Sequence, residues 1–155
     1  MRRVLLALPL LLSGCVDFQN QYAPGRARRV DGGPDPRGLK SAVEMKDPTS
    51  LAHFAWGINP AAFDGEKRKT EPKAALRFAV AGKGGRKFKM DFFSPQPQTV
   101  KIRVNGQWIG EVQASGNATF EAAAEGSLFV DGTATLVEIW SDVGVSLYRA
   151  GFSNP

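Results

Sequence analysis

The chain has one cysteine and one histidine among its 155 residues, and no apolar run reaches the roughly 18 residues of a membrane-spanning helix. A lone Cys15 excludes an internal disulfide, a cysteine-built zinc module and an iron–sulfur site, and a lone His53 leaves little for metal or nucleophilic catalysis. His53, with no cysteine or acid close by in sequence, reads as structural. Ser141-Asp142 has neither the base nor the orienting group that a serine nucleophile needs. Gly82-Lys83-Gly84-Gly85-Arg86 lacks the serine or threonine that follows the lysine of a phosphate-cradling loop, and it leads into a strand-like segment; it reads as a flexible basic turn. Glu121 and Glu125 are too isolated for a calcium loop. No catalytic residue, metal ligand or cofactor is therefore assigned, and the chain is read as a non-enzyme. Apolar residues make up 43% and charged residues 23%, with 17 glycines and 10 prolines, which suits one modest domain joined to non-globular sequence.

The amino terminus reads MRRVLLALPLLLSGC: two arginines, a short apolar core from Val4 to Leu12, then small residues before the cysteine. That is the layout of an export signal. Leu12-Ser13-Gly14-Cys15 resembles the lipobox of bacterial lipoprotein precursors. The resemblance implies cleavage after a signal peptide at residues 1–14 and acylation of Cys15, which anchors the chain to a lipid bilayer without spanning it. Each buried CH₂ contributes about 0.8 kcal/mol, so two or three acyl chains hold where one is marginal. Val16, rather than aspartate, follows the cysteine, which by the same resemblance favours the outer membrane of a bacterial cell envelope.

Residues 15–50 carry Pro24, Pro34, Pro36 and Pro48 and several glycines without a sustained apolar period, and are expected to be the lipidated cysteine and a flexible linker. Thirty-five residues of coil reach roughly 30–35 Å, enough to lift a small domain off headgroups. Arg26, Arg28 and Arg29 are placed to meet anionic headgroups or to serve only as solvated linker charges. Leu39–Met45 is expected to make a helical turn or two.

From residue 51 the pattern changes to short alternating segments with turn signals every 8–12 residues, which predicts an all-β sandwich over 51–155. Strands are expected at 75–81, 87–94, 98–104, 107–114, 118–122, 127–130, 133–141 and 145–152. Val100, Ile102 and Val104 alternate with Lys101 and Arg103, and Asn105-Gly106 supplies the two positive φ angles of a type I′ hairpin turn. Asp131-Gly132 is a second tight turn. The Asn105-Gly106 hairpin, the segments Leu136–Ser141 and Gly144–Phe152, and Trp56-Gly57 followed by Ala74–Phe78 resemble galactose-binding-like jelly rolls over residues 53–152. The resemblance implies a single jelly-roll-like β-sandwich, of a kind used as accessory domains of bacterial glycan-active enzymes.

Charge is unevenly distributed. Residues 64–103 hold eleven Lys/Arg against four Asp/Glu, whereas residues 104–155 hold one arginine against six acids. Kept apart in the fold, the basic residues Lys67, Arg68, Lys69, Lys73, Lys83, Arg86, Lys87 and Lys89 would form a patch for anionic glycan or lipopolysaccharide; interleaved with the acidic strands, they would be neutralised. Nucleic acid is not an expected partner. Trp56 and Trp108, next to loops, are the candidate sugar-stacking residues, with Arg86 and Lys87 as candidate polar contacts; Trp140 and Tyr148 are expected in the core. Phe92-Phe93 must place one ring on each face of its strand. These features lead to a lipid-anchored envelope protein with a non-catalytic module for glycan. The alternative is an assembly subunit that docks on another envelope protein through sheet edges or the Phe92/Phe93 region.

Overall fold

A computed structural model of the chain describes residues 38–82 and 84–155, so residues 1–14 with their expected signal, Cys15, Arg26, Arg28, Arg29 and Lys83 lie outside the described residues. The described residues belong to one compact unit. Seven strands occur in the order β1 (Ala42–Glu44), β2 (Phe54–Phe63), β3 (Arg68–Ala79), β4 (Arg86–Val104), β5 (Gln107–Ala124), β6 (Ala134–Trp140) and β7 (Ser146–Ser153), with 3-10 turns at Pro48–His53 and Gly126–Leu128.

Every pairing is antiparallel. The long hairpin β4–β5 builds both layers, because its two halves take different neighbours. Lys87–Phe93 of β4 pairs with β7, and Lys101–Val104 pairs with β6. The first layer is thus β1, β7, the first half of β4 and the second half of β5. The second is β2, β3, β6, the second half of β4 and the first half of β5. Pro95 and Pro97 lack the N–H that a ladder needs, and the β4–β5 register shifts between Ser94 and Gln98, where the hairpin passes from one layer to the other. The chain is an all-β sandwich.

Alternation puts Phe88, Met90 and Phe92 of the first layer and Leu76, Phe78, Ile102, Val137 and Ile139 of the second into one core. Phe78 crosses between the layers, with ring centroids 5.6 Å from Phe152 and 6.3 Å from Phe88. Full burial of each such ring contributes about 1.5–3 kcal/mol.

The hairpin turn is as expected, with φ 47° at Asn105 and 90° at Gly106. Other expectations need correction. Leu39–Met45 is not helical: Ala42–Glu44 pairs antiparallel with Arg149–Gly151 of β7, so the folded unit begins before residue 51, inside the stretch read as linker. β2 escaped the period-two reading because three register shifts against β3 break its alternation. The expected breaks at 95–97 and 115–117 are bends within single strands. Residues 127–130 hold the end of a 3-10 turn that delivers Phe129 to the core, not a strand.

Candidate functional site

Because Ala74, Leu76 and Phe78 point inward from β3, Lys73, Ala75 and Arg77 lie on the outer face of the second layer. The same parity puts Glu138 and Trp140 of β6 and Lys101 and Arg103 of β4 on that face. Register aligns them in rows. Trp56, Ala75, Glu138, Arg103 and Trp108 are successive cross-strand partners, and so are Lys73, Trp140, Lys101 and Glu111. All three tryptophans of the chain therefore share one face.

Trp108 meets Trp140 edge to face, with centroids 5.5 Å apart and an interplanar angle of 78°. The Arg103 guanidinium lies 5.0 Å from the Trp108 ring and 5.8 Å from the Trp140 ring. It donates to Gly106 O at 3.1 and 2.7 Å and lies 3.5 Å from Glu138, whose side chain is buried. The turn carbonyl and the carboxylate thus hold Arg103 still, and Arg103 braces both indoles. Lys73 Nζ sits 4.2 Å over the Trp140 ring, a cation–π contact. Trp140 Nε1–H is buried without an acceptor among the described residues. Trp108 remains 48% exposed and is the open aromatic surface of the group. Three cations, Lys73, Lys101 and Arg103, outnumber two acids, Glu111 and Glu138, in these rows.

Of the candidate residues, Trp56 and Trp108 are brought to the same face, on strands separated by four spacings, or about 19 Å. Arg86 and Lys87 are not part of it. Arg86 ties down its own loop by donating to Ala81, Gly84 and Gly85 carbonyls, and Lys87 pairs with Glu121 at 2.6 Å on the first layer. Trp140 is not a core residue, nor is Tyr148, which lies on the outer face of the first layer with its hydroxyl 3.2 Å from Asn117 Oδ1. Arg103 and Glu138 were not anticipated at the site, Trp140 was expected in the core, and Lys73 was expected only as one member of a larger basic patch. A signal was present: Val137 and Ile139 alternate with Glu138 and Trp140, so an outward Glu138 requires an outward Trp140.

The basic segment does not make one patch. Arg68 is buried and donates to Pro60 O, Lys73 lies on the second layer, and the antiparallel β4–β5 pairing sets Lys87 against Glu121 and Lys101 against Glu111. Phe92 is fully buried, and Phe93, on the other face of the strand, is half-buried with Lys67 Nζ 5.0 Å from its ring. A depression of about 470 Å³ on the first layer is lined by Asp91, Asn117, Thr119 and Tyr148. Burial raises the Asp91 pKa, but hydrogen bonds from Thr119 and Arg149 outweigh it and hold the carboxyl below its usual range. His53 is buried; Nδ1 lies 2.7 Å from Arg77 O and Nε2 accepts the Lys40 N–H at 3.4 Å, which assigns the proton to Nδ1. Burial pushes its pKa down, against the pull of the Arg77 carbonyl.

No protein-family model and no curated protein matches this sequence. Solved structures with similar strand arrangements include a family 6 carbohydrate-binding module (TM-score 0.46, 12% identity, 76% of this chain and 95% of that one). Another is a family 35 carbohydrate-binding module from an environmental isolate (TM-score 0.45, 10% identity, 64% and 88%). A third is a family GH115 4-O-methyl-α-glucuronidase with specificity for decorated arabinogalactans (TM-score 0.46, 10% identity), in which the match covers 78% of this chain and 17% of the enzyme. At these values no residue role passes from those proteins to this one, and the β-sandwich stands on its own strand pairing.

Proposed function

We propose that this chain is a non-catalytic glycan-binding module, held at the bacterial outer membrane through acylated Cys15, and that its contact surface is the outer face of β2, β3, β6, β4 and β5. One observation carries the reading: all three tryptophans occupy that face, with Trp108 half open and braced by Arg103. A flat apolar ring covers the C–H face of a pyranose, and the neighbouring Lys73, Lys101 and Arg103 supply donors for hydroxyl or acidic groups. Rigid aromatic groups lose little entropy on binding, which favours a braced platform over a loop.

Because every tryptophan lies on the face in question, intrinsic fluorescence reports on it directly. Residues 38–155 titrated with envelope polysaccharide should show a saturable change in tryptophan emission that rising salt weakens without abolishing. Unchanged emission and no retention on any such polysaccharide would overturn the reading. Acylation is tested separately by the mass and membrane partitioning of the Cys15→Ala chain, which should remain an unacylated precursor.

A further inference from the structure

The two layers end in four strand edges, and most of their length is blunted against a further strand. β1 offers only three residues before the chain turns into the 3-10 segment. β2 contains Pro60 and three register shifts. The first half of β5 lies beside the shift between Ile102 and Arg103. The second half is different. From Ser94↔Gly116 to Arg86↔Ala124 its pairing with β4 runs without a shift, β5 ends the order of strands, and among the described residues its outward backbone groups have no backbone partner. Residues 116–124, Gly-Asn-Ala-Thr-Phe-Glu-Ala-Ala-Ala, include no proline, lysine or arginine, the residues that natural edges use to repel another strand. Their single charge, Glu121, is neutralised within the sheet by Lys87 at 2.6 Å.

We propose that this edge is a dimer interface on which a second copy of the chain adds its own residues 116–124, antiparallel, about a twofold axis at Phe120. Electrostatics selects the occupant: a neutral edge meets itself without repulsion and offers a strongly charged strand nothing to pair with. Geometry selects the register. Opposed residues in an antiparallel pair share a face, so a twofold at Phe120 sets Ala118 opposite Ala122, Asn117 opposite Ala123 and Thr119 opposite Glu121. A twofold at Glu121 would set two carboxylates opposite one another, and one at Thr119 would leave Ala123 and Ala124 unpaired. Ala118 and Ala122, half-buried and packed at the rim of the core, would be covered by the added strand. Two four-stranded layers would then become one eight-stranded layer with its longest open edge closed, and each dimer would carry two tryptophan faces.

Sedimentation of residues 38–155, the unit that contains the whole described core, tests this. The wild type should reach twice the mass of one chain as concentration rises. N117K/A123K, at two exposed positions outside the core, sets cations opposite one another twice and should hold the mass of one chain over the same range, with a melting curve that matches the wild type diluted to one chain. N117K/A123E sets opposite charges at the same two places and should restore the doubled mass. A wild type that stays at one chain's mass at every concentration overturns the proposal and leaves the edge to a strand of another protein. N117K/A123E dissociating as readily as N117K/A123K overturns the register.

Discussion

Truncating Trp108 to alanine separates folding from binding more cleanly than any other change on the tryptophan face. Trp108 is 48% exposed, so about half of the 150–250 Å² that an aromatic side chain can bury, roughly 100 Å², is out of water. At about 25 cal/mol per Å² that area contributes roughly 2.5 kcal/mol. The edge-to-face contact with Trp140 adds about 1 kcal/mol, for a total loss near 3.5 kcal/mol. Domains of this size have about 5–15 kcal/mol of stability and lose roughly 4 °C of Tm per kcal/mol, so the variant should remain folded with a melting temperature lower by about 14 °C. Glycan affinity should fall at least about tenfold, equivalent to 1.4 kcal/mol. Thermal melts followed by circular dichroism and glycan titration of the same sample read both quantities. A folded Trp108→Ala chain with wild-type affinity would show that the tryptophans only cover Glu138 and the sheet beneath it, and the proposed contact surface would be lost with that result.

Three further predictions concern the scaffold. The depressed pKa of His53 means that the folded state binds fewer protons than the unfolded chain, so stability should be full above the unfolded value of about 6.5 and decline as pH falls below it; pH-dependent denaturation of His53→Gln should lack that step. Gln98 accepts from Asp142 N at 2.9 Å and Val143 N at 3.1 Å and donates to Ser94 Oγ and Gly144 O, so Gln98→Leu should cost about 3–4 kcal/mol and expose the 142–144 amides to hydrogen exchange; protection equal to wild type would refute this. A Cβ on Gly144 would lie 2.2 Å from Thr70 O, whereas Gly132 has a similar φ, 77° against 81°, and open space around it. Gly144→Ala should therefore cost about 3 kcal/mol or more and Gly132→Ala about 1–2 kcal/mol in chemical denaturation, and equal losses would mean that backbone conformation alone sets the effect.

Local pattern carried a definite part of this protein. Alternation in Val100–Val104 and the Asn105-Gly106 pair are short-range facts of backbone geometry, and they specified the hairpin, its turn and which side chains face inward. The same alternation was available for Glu138 and Trp140. It went unused for Trp140 because an aromatic ring is equally at home in a core and on a platform; the parity shared with a charged neighbour decides between them. Turn spacing after residue 51 likewise pointed to a β-sandwich, the single cysteine excluded an internal disulfide, and the small-residue approach to Cys15 raised the lipid anchor that is proposed above.

Other features depend on contacts between residues far apart in the chain. β1 is three residues long and exists because β7 pairs with it, so no local propensity marks it. The irregular strand β2 is held by β3 despite a broken period. Pro95 and Pro97 look like a strand end but act as a corner, since the backbone they leave unpaired lies where the hairpin leaves one layer for the other. The basic and acidic halves of the sequence suggested a lopsided surface, yet antiparallel pairing of β4 with β5 places lysines beside glutamates and removes it. Most of all, sequence alone determined that Trp56, Trp108 and Trp140 belong to a β-rich chain, but only strand order and register, which are set by packing a shared core, brought the three onto one face and left one edge of β5 open.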